Sequence, residues 1–257
     1  MIVWTPSGFR VHNKTKVGKA ILSAGAPVLP FLRGERKAGT LATVLERAYR
    51  ATWGRAFARG YDVFFRKMEE NGLREMRRRL LAEAQGRTLE IGAGTGLNHD
   101  LYPAAVTDLV LSEPSGAMAD QLRAKVARAE RATEVIEASG EHLPFPDSSF
   151  DSVGLTMVLC TAPDPPAVLR EIDRVLKPGG RFLFLEHVRS PDPALARWQD
   201  RLATPWRLFG NGCNCNRDAL AAIEQSPLVL ERFESGELPK AVPLVRPTVQ
   251  GSARATG

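Results

Sequence analysis

The chain has 257 residues, of which 44% are apolar and 25% are charged, as in a soluble globular protein with a core of ordinary size. The net charge of +6 arises in residues 1–60, where eleven Lys or Arg accompany only Glu35 and Glu46. The net charge of the remaining residues is therefore −3, and no nucleic acid partner is expected. Three cysteines exclude a disulfide framework and predict a reducing, cytoplasmic location.

Residues 1–40 form a basic N-terminal arm, and residues 41–257 are predicted to form one domain. The arm contains an apolar stretch, 20–32, which is interrupted by Pro27 and Pro30 and is too short to span a bilayer as a helix. A basic, partly apolar arm suits peripheral contact with an anionic membrane surface. The alternative is a strap that packs over the domain with its charges solvated.

The domain opens with a helical cap, about residues 41–86. Apolar residues recur at helical spacing from Leu41 to Trp53, which predicts a first helix. A second helix over 72–84 is predicted to end at Gly86 as its C-cap.

From about residue 87 to residue 257, short apolar runs alternate with segments of helical spacing. Strands are expected at RTLEIG, DLVLSEP, TEVIEAS, FDSVGLT and RFLFLEHV, and helices at SGAMADQLRAKVARA and PPAVLREIDRVLK. This alternation predicts an α/β fold with a parallel sheet covered on both faces. Beyond Pro193, a helical insertion, the loop GNGCNCN and a further helix precede two runs, PLVLERFESG and RPTVQGSAR, that are expected to close the sheet as a hairpin.

The stretch TLEIGAGTGLN follows the first predicted strand and places glycines at 92, 94 and 96. Glycines allow positive φ and let a ligand approach the backbone at the carboxyl edge of the sheet. The dinucleotide pattern G-x-G-x-x-G requires a third glycine where Leu97 stands. Glu90 also suits a diphosphate poorly, because like charges repel, and suits a cationic amino-acid head well. Glu113, at the end of the second strand, suits ribose hydroxyls, although a solvated strand end is the alternative.

These motifs, followed by SGEHLPFPDSSFD and LREIDRVLKPGG, resemble the class I S-adenosylmethionine-dependent methyltransferases, in particular the ubiquinone/menaquinone-methyltransferase-like type 11 branch. The resemblance covers about residues 87–188. It implies a Rossmann-like three-layer sandwich with a seven-stranded, mostly parallel sheet whose last strand is antiparallel. It also implies S-adenosyl-L-methionine as cofactor.

The residues that match the family's cofactor motifs can be placed by number. For the methionine part they are Glu90, Gly92, Ala93, Gly94 and Gly96; for ribose and adenine they are Glu113, Pro114, Met118, Ser139, Gly140 and Glu141; beside the sulfonium they are Leu155 and Thr156. Many relatives have aspartate where Ser139 stands, so backbone amides or Glu141 are expected to hold the adenine edge. LKPGG is expected to be a structural turn into the fifth strand.

A narrower resemblance, to the membrane-associated alkyl-thiol methyltransferases of animals and their bacterial relatives, rests on VLC, EHV, Trp198, Trp206, GC and Arg217. It implies a small, rather apolar methyl acceptor, with a thiol as first choice. O- or C-methylation of a quinone-like, phenolic or lipid acceptor is the alternative, because one scaffold serves many acceptors. A non-catalytic cofactor-binding protein and an NAD-dependent oxidoreductase are the rivals from other classes.

Candidate catalytic residues stand at the ends of the fourth and fifth strands. His187 is a candidate base, or else a hydrogen-bonded structural histidine, and Glu186 is expected to orient it or to polarise the pocket. Cys160 is a candidate for chemistry, or else a small apolar wall. No metal site is predicted, because Cys213 and Cys215 lack a second ligand pair. An apolar lid over the acceptor pocket is expected from Trp198, Leu202, Trp206, Leu208 and Phe209.

Overall fold

The computed structural model describes residues 50–256. The basic arm predicted for 1–40, with its membrane or strap role, lies outside the described residues, as does the first part of the predicted cap. Residues 57–257 form one compact unit. Within the described part of the chain, no helix combines the length and the apolar character that a membrane crossing would require.

Seven strands and six α-helices make up the described chain. The strands are β1 (Gly86–Ile91), β2 (Val106–Ser112), β3 (Thr133–Ile136), β4 (Phe150–Thr156), β5 (Leu176–His187), β6 (Val229–Glu237) and β7 (Pro247–Arg254). The helices are α1 (Arg55–Met68), α2 (Arg74–Leu81), α3 (Gly116–Val126), α4 (Pro165–Val175), α5 (Pro193–Phe209) and α6 (Ala219–Glu224). Single π-helical turns occupy Arg50–Gly54 and Glu69–Leu73, and 3-10 turns occupy His99–Leu101 and Pro243–Val245.

The strands form one sheet in the order β3-β2-β1-β4-β5-β7-β6. Pairs from β3 through to β5 are parallel, whereas β7 is antiparallel to both of its neighbours, β5 and β6. The predicted Rossmann-like class I fold with an antiparallel last strand is therefore confirmed. The strand order reverses between β1 and β4, and the carboxyl ends of these strands are where ligands bind in open α/β sheets.

Buried apolar side chains cover both faces of the sheet. One cluster packs α4 and α6 against one face around Phe150, Phe182 and Phe184, and the other packs α2 against the opposite face around Leu183 and Leu185. Because alternate residues of β5 supply the two clusters, this strand is buried on both faces and reads as the near-continuous apolar run RFLFL.

The crossover helices α4, α5 and α6 begin with the same local chemistry. An aspartate precedes each one and accepts a hydrogen bond from a backbone N–H of the first turn, which satisfies one of the donors that a helix start leaves free. Proline follows the aspartate in α4 and α5, where its fixed φ suits the first helical positions.

Two boundary predictions were wrong. Gly86 is not the C-cap of a helix, because α2 ends at Leu81 and Gly86 begins β1 with a φ of 63°. A Cβ there would lie 2.5 Å from the Asp151 carboxylate, so glycine fits the close approach of β1 to β4. LKPGG is not separate from the fifth strand, because β5 starts at Leu176 and contains a bulge before Arg181.

Candidate active site

A loop with unusual backbone angles leaves β1 at the carboxyl edge of the sheet. Gly92 has a φ of 65°, and a Cβ there would lie 2.5 Å from a methyl group of Val158 in the loop after β4. Gly94 has a φ of 58°, but a Cβ there would meet no atom within 4 Å, so the space beside it is open. The first glycine is needed for packing, and the second leaves room for a ligand.

Glu90 lies beneath this loop and is 2% exposed. Its Oε1 accepts a hydrogen bond of 2.8 Å from Asn98 Nδ2, while its Oε2 and Asn98 Oδ1 have no partner. The same Nδ2 donates to Thr156 Oγ1 at 2.9 Å, which joins the loop to the end of β4. Burial raises the pKa of Glu90, because a charged carboxylate loses water there, while the side chains of Asn98 and Tyr102 act in the opposite direction. A cation beside Oε2 would offset that cost.

Arg77 reaches the same cavity from α2. It is buried, its Nη2 forms an ion pair with Glu69, and its Nε has no partner. Tyr61 of α1 also lines the cavity, and its ring stacks on Phe65 with centroids 4.4 Å apart. The cavity therefore combines unpartnered acceptors on Glu90 and Asn98 with an unpartnered donor on Arg77.

Helix α1 is tied over the glycine loop by polar contacts. Thr95 Oγ1 donates to Asp62 Oδ1 at 2.6 Å, and Gln121 Nε2 of α3 donates to the carbonyl oxygen of Ala58 at 3.0 Å. These bonds hold α1 at the mouth of the cavity.

Glu113 follows β2, as predicted, and is 5% exposed. Its Oε2 accepts from the backbone N–H of Gly94 at 2.9 Å, and its Oε1 accepts from that of Ser115 at 2.8 Å. Burial raises the pKa of this carboxyl, and the two backbone donors oppose that rise. Glu113 therefore links the loops after β1 and β2, and each oxygen keeps a lone pair for a ligand hydroxyl.

The other predicted cofactor residues lie along the same edge, with different surroundings. Met118 is buried on α3, whereas Pro114 is exposed. Ser139 Oγ donates to Glu141 Oε2 at 2.6 Å, and the other oxygen of Glu141 lies 3.4 Å from the backbone nitrogen of Asp164. Glu141 is thus turned toward the start of α4. Gly140 is a close contact, since a Cβ there would lie 2.9 Å from Ile91.

These groups fit S-adenosylmethionine. Its amino-acid part carries an ammonium, from which the free oxygens of Glu90 and Asn98 can accept hydrogen bonds. It also carries a carboxylate, to which Arg77 Nε can donate. Asn98, Arg77 and Tyr61 were missed by sequence reasoning. Asn98 ends the glycine-rich stretch itself, but nothing in the local pattern links the two cap residues to it.

Glu186 and His187 are the last two residues of β5, and their side chains form hydrogen bonds with different partners. Glu186 is fully buried; its Oε1 accepts from the backbone N–H of Val158 at 2.6 Å and of Leu159 at 3.0 Å, and its Oε2 accepts from that of Cys160 at 3.3 Å. Burial raises the pKa of Glu186 to about 7, although the charge of His187 and these donors act in the opposite direction. Glu186 therefore anchors the loop after β4 and makes no hydrogen bond to the His187 ring.

His187 is oriented by a cysteine instead. Its Nε2 lies 3.0 Å from Cys213 Sγ, and its Nδ1 is buried without a partner. Trp206 Nε1 donates to the same sulfur at 3.2 Å. The sulfur of Cys160 lies within 4.8 Å of it, and the Cys160 thiol itself lies 3.5 Å from the carbonyl oxygen of Met157. The neighbouring Cys160 is the largest influence that lowers the pKa of Cys213 to about 4; burial acts in the opposite direction, and His187 and Trp206 lower the pKa further. A lowered pKa favours the thiolate form of Cys213, with the Nε2–H of His187 as the matching donor.

The charge of Cys213 acts back on its neighbours. Burial lowers the pKa of His187, but the Cys213 hydrogen bond and the charges of Cys213 and Glu186 outweigh it, so the net pKa is raised. The neighbouring Cys213, followed by burial, raises the pKa of Cys160 well above its ordinary value. These directions favour a thiolate–imidazolium pair of Cys213 and His187 with a protonated Cys160 thiol beside it.

Cys160, His187 and Cys213 each offer one metal-ligand atom, and these atoms lie within 4.8 Å of one another. The metal prediction rested on Cys213 and Cys215, which are close in sequence. It could not reveal this cluster, because the three members come from separate segments of the chain. Cys215 is outside it: the Cys215 thiol is buried and lies 3.5 Å from the carbonyl oxygen of Gln199.

The residues of the predicted apolar lid lie in two different environments. Leu202, Trp206 and Phe209 line an apolar hollow with Pro205 and Leu244. Trp198 is more than half exposed, and the Arg201 guanidinium lies 5.7 Å from its ring centroid. The hollow and the cysteine–histidine cluster share Trp206, whose indole nitrogen reaches Cys213.

Comparisons with known proteins agree with this geometry. The methyltransferase domain family matches residues 89–184. Human thiol S-methyltransferase TMT1A is 33% identical over 169 residues, which are 64% of this chain and 69% of that protein. Human thiol S-methyltransferase TMT1B is 32% identical over 200 residues, covering 73% and 80% of the two chains. The solved structure of a SAM-dependent methyltransferase from Thermotoga maritima (TM1293) shares the fold, with a TM-score of 0.59 at 22% identity over 78% of this chain and 97% of that one.

Proposed function

Since this chain belongs to the class I S-adenosylmethionine-dependent methyltransferases of the type 11 branch, we propose that it methylates the sulfur of a small, rather apolar thiol. The observation that carries the proposal is the buried, unpartnered Nδ1 of His187, whose Nε2 is already held by Cys213. The names of the two human relatives support the same acceptor class.

S-adenosylmethionine, when bound, supplies a methyl group already activated by a sulfonium. The residues of this chain then have two tasks toward it. Glu90, Asn98 and Arg77 bind the amino-acid part, and Glu113 binds ribose hydroxyls. Thr156 and the glycine loop line the same cavity and would hold the sulfonium end of the cofactor near the end of β4. Alignment of the acceptor lone pair at a distance of about 3 Å provides much of the acceleration.

His187 and Cys213 prepare the acceptor. As an imidazolium, His187 donates Nε2–H to the Cys213 thiolate and has Nδ1–H free for the acceptor sulfur. A charge-assisted hydrogen bond contributes about 1.5–3 kcal/mol, which lowers an acceptor thiol pKa of about 8.5 by about one to two units. The acceptor then loses its proton to water and reacts as the thiolate. His187 therefore holds positive charge at the acceptor and need not remove its proton.

The apolar hollow favours a second candidate, O- or C-methylation of a quinone-like, phenolic or lipid acceptor. Leu202, Pro205 and Trp206 offer such a molecule an apolar surface next to the cluster. A phenol, with a pKa of about 10, depends more strongly on a base than a thiol does. A cofactor-binding protein without turnover is the candidate from another class.

The experiment that tests the proposal measures S-adenosylhomocysteine release with a small alkyl thiol, a phenol and a reduced quinone offered separately. Cofactor affinity is measured in parallel by calorimetry. Release with the thiol alone supports S-methylation, and release with a ring compound alone overturns it in favour of the second candidate. Tight cofactor binding without release from any of the three favours the non-catalytic protein.

A further inference from the structure

Two of the three cysteines are held together by the backbone around them. Cys160 follows β4, and Cys213 lies in the loop after α5. The backbone N–H of Asn214 donates to the carbonyl oxygen of Cys160 at 2.9 Å, and Asn214 Nδ2 donates to the same oxygen at 3.0 Å. The two sulfur atoms lie within 4.8 Å of each other. Since the loops are already fixed side by side, side-chain movement can bring the sulfurs to the bonding distance of about 2.05 Å.

The two thiols differ in the way that a redox pair requires. Cys213 is partly exposed, and Trp206 and His187 stabilise its negative charge. Cys160 is buried, and its thiol lies 3.5 Å from the carbonyl oxygen of Met157. The neighbouring Cys213, followed by burial, raises the pKa of Cys160, which favours its protonated form. A reactive, accessible thiolate with a resolving thiol beside it is typical of redox-sensitive cysteines.

We propose that Cys213 and Cys160 form a reversible disulfide when the protein meets low-molecular-weight disulfides. The Cys213 thiolate attacks one sulfur of RSSR, so a mixed disulfide forms and RS⁻ leaves. Cys160 then loses its proton and attacks the Cys213 sulfur, and the second RS⁻ leaves and takes up that proton. The two cysteines are thereby oxidised by two electrons, and RSSR is reduced to RSH and RS⁻.

The disulfide removes the negative charge of Cys213, which orients the His187 ring and raises its pKa. The cofactor residues from Glu90 to Asn98 lie outside the pair, so cofactor binding persists while methyl transfer stops. This inhibitory consequence rests on the proposed thiol acceptor, whereas the disulfide itself does not. The site would thus respond to the ratio of thiols to disulfides among molecules of the acceptor's own class.

The test exposes the reduced full chain to glutathione buffers of increasing disulfide content, traps free thiols with iodoacetamide and maps peptides by mass. Wild type and the control C215S are expected to form the Cys160–Cys213 link. C160S should retain glutathione on Cys213, and C213S should form no link. The alkylation rate of Cys213 should stay nearly constant from pH 6 to pH 8, whereas that of a thiol with a pKa of about 8.5 rises about 75-fold.

Three results would overturn the proposal: a Cys213–Cys215 link, no link at any ratio, or one zinc ion that blocks alkylation of both thiols in the reduced protein. Turnover that persists in the linked protein would overturn the inhibitory part. Suppose that the disulfide forms, that the linked protein binds cofactor within twofold as tightly as the reduced protein, and that the reduced protein methylates no thiol. The disulfide is then confirmed, and the proposed thiol acceptor is refuted. Mass mapping needs no acceptor, so the two failures are distinguishable.

Discussion

Replacing His187 with glutamine removes the positive charge that we place at the acceptor sulfur but keeps a side chain able to donate to Cys213. If His187 lowers the acceptor pKa by about one to two units from about 8.5, the thiolate fraction at pH 7 falls from roughly 30–80% to about 3% in H187Q. The rate should therefore fall about 10- to 25-fold with an ordinary alkyl thiol. A thiol with a pKa of about 6 is already ionised at pH 7, so its rate should fall less than twofold.

The assay is the initial rate of S-adenosylhomocysteine release with both thiols across pH 5.5–10, together with cofactor affinity. The imidazolium charge is complete below the raised pKa of His187 and is lost above it, so wild-type kcat/KM should decline at alkaline pH. H187Q should lack that decline. An equal loss with both thiols would mean that His187 only positions the acceptor. An unchanged rate, or a loss of cofactor affinity, would refute the assignment of His187 to the acceptor.

Three further predictions concern the cofactor cavity and its loop. E90Q should weaken cofactor binding at least tenfold in calorimetry, while D108N, at an exposed carboxylate, should leave it unchanged. The affinity of the wild type should also fall as the pH falls through the raised pKa of Glu90. E90Q should lack that pH dependence. Arg77→Gln should weaken cofactor binding and lower the melting temperature, because it leaves the largely buried Glu69 carboxylate unpaired. The same change at the exposed Arg79 of α2 should do neither. G92A should cost about 1–3 kcal/mol more than G179A in denaturant unfolding, since both have positive φ but only Gly92 places a Cβ against another side chain; equal losses would contradict the close contact.

The sheet and its ligand-binding edge follow from local pattern. The parallel strands contain the predicted apolar runs, the glycine loop leaves β1 where predicted, and the two C-terminal runs pair as β6 and β7. These features depend on residues close in sequence. The break at Gly72, with a φ of 127°, and the start of β1 at Gly86 depend on backbone angles that residue type alone does not fix.

The residues that sequence reasoning missed are those that tertiary packing brings from a distance. Arg77 and Tyr61 enter the cofactor cavity from the helices before β1. Cys213 meets Cys160 and His187 only because α5 returns its C-terminal loop to the ends of β4 and β5. Ligand spacing within one segment cannot detect such a cluster, since the spacing rules describe neighbours along the chain.

Glu186 shows why adjacency along the chain misleads at the end of a strand. Successive side chains of a strand point to opposite faces of the sheet, so Glu186 and His187 cannot share one hydrogen bond. The turn after β4 leaves three backbone N–H groups buried on one face, and Glu186 satisfies them. On the other face, His187 finds Cys213. The hydrogen-bond partner that raises the pKa of the histidine is therefore Cys213, 26 residues away, and the carboxylate next to the histidine in sequence acts on it only through its charge.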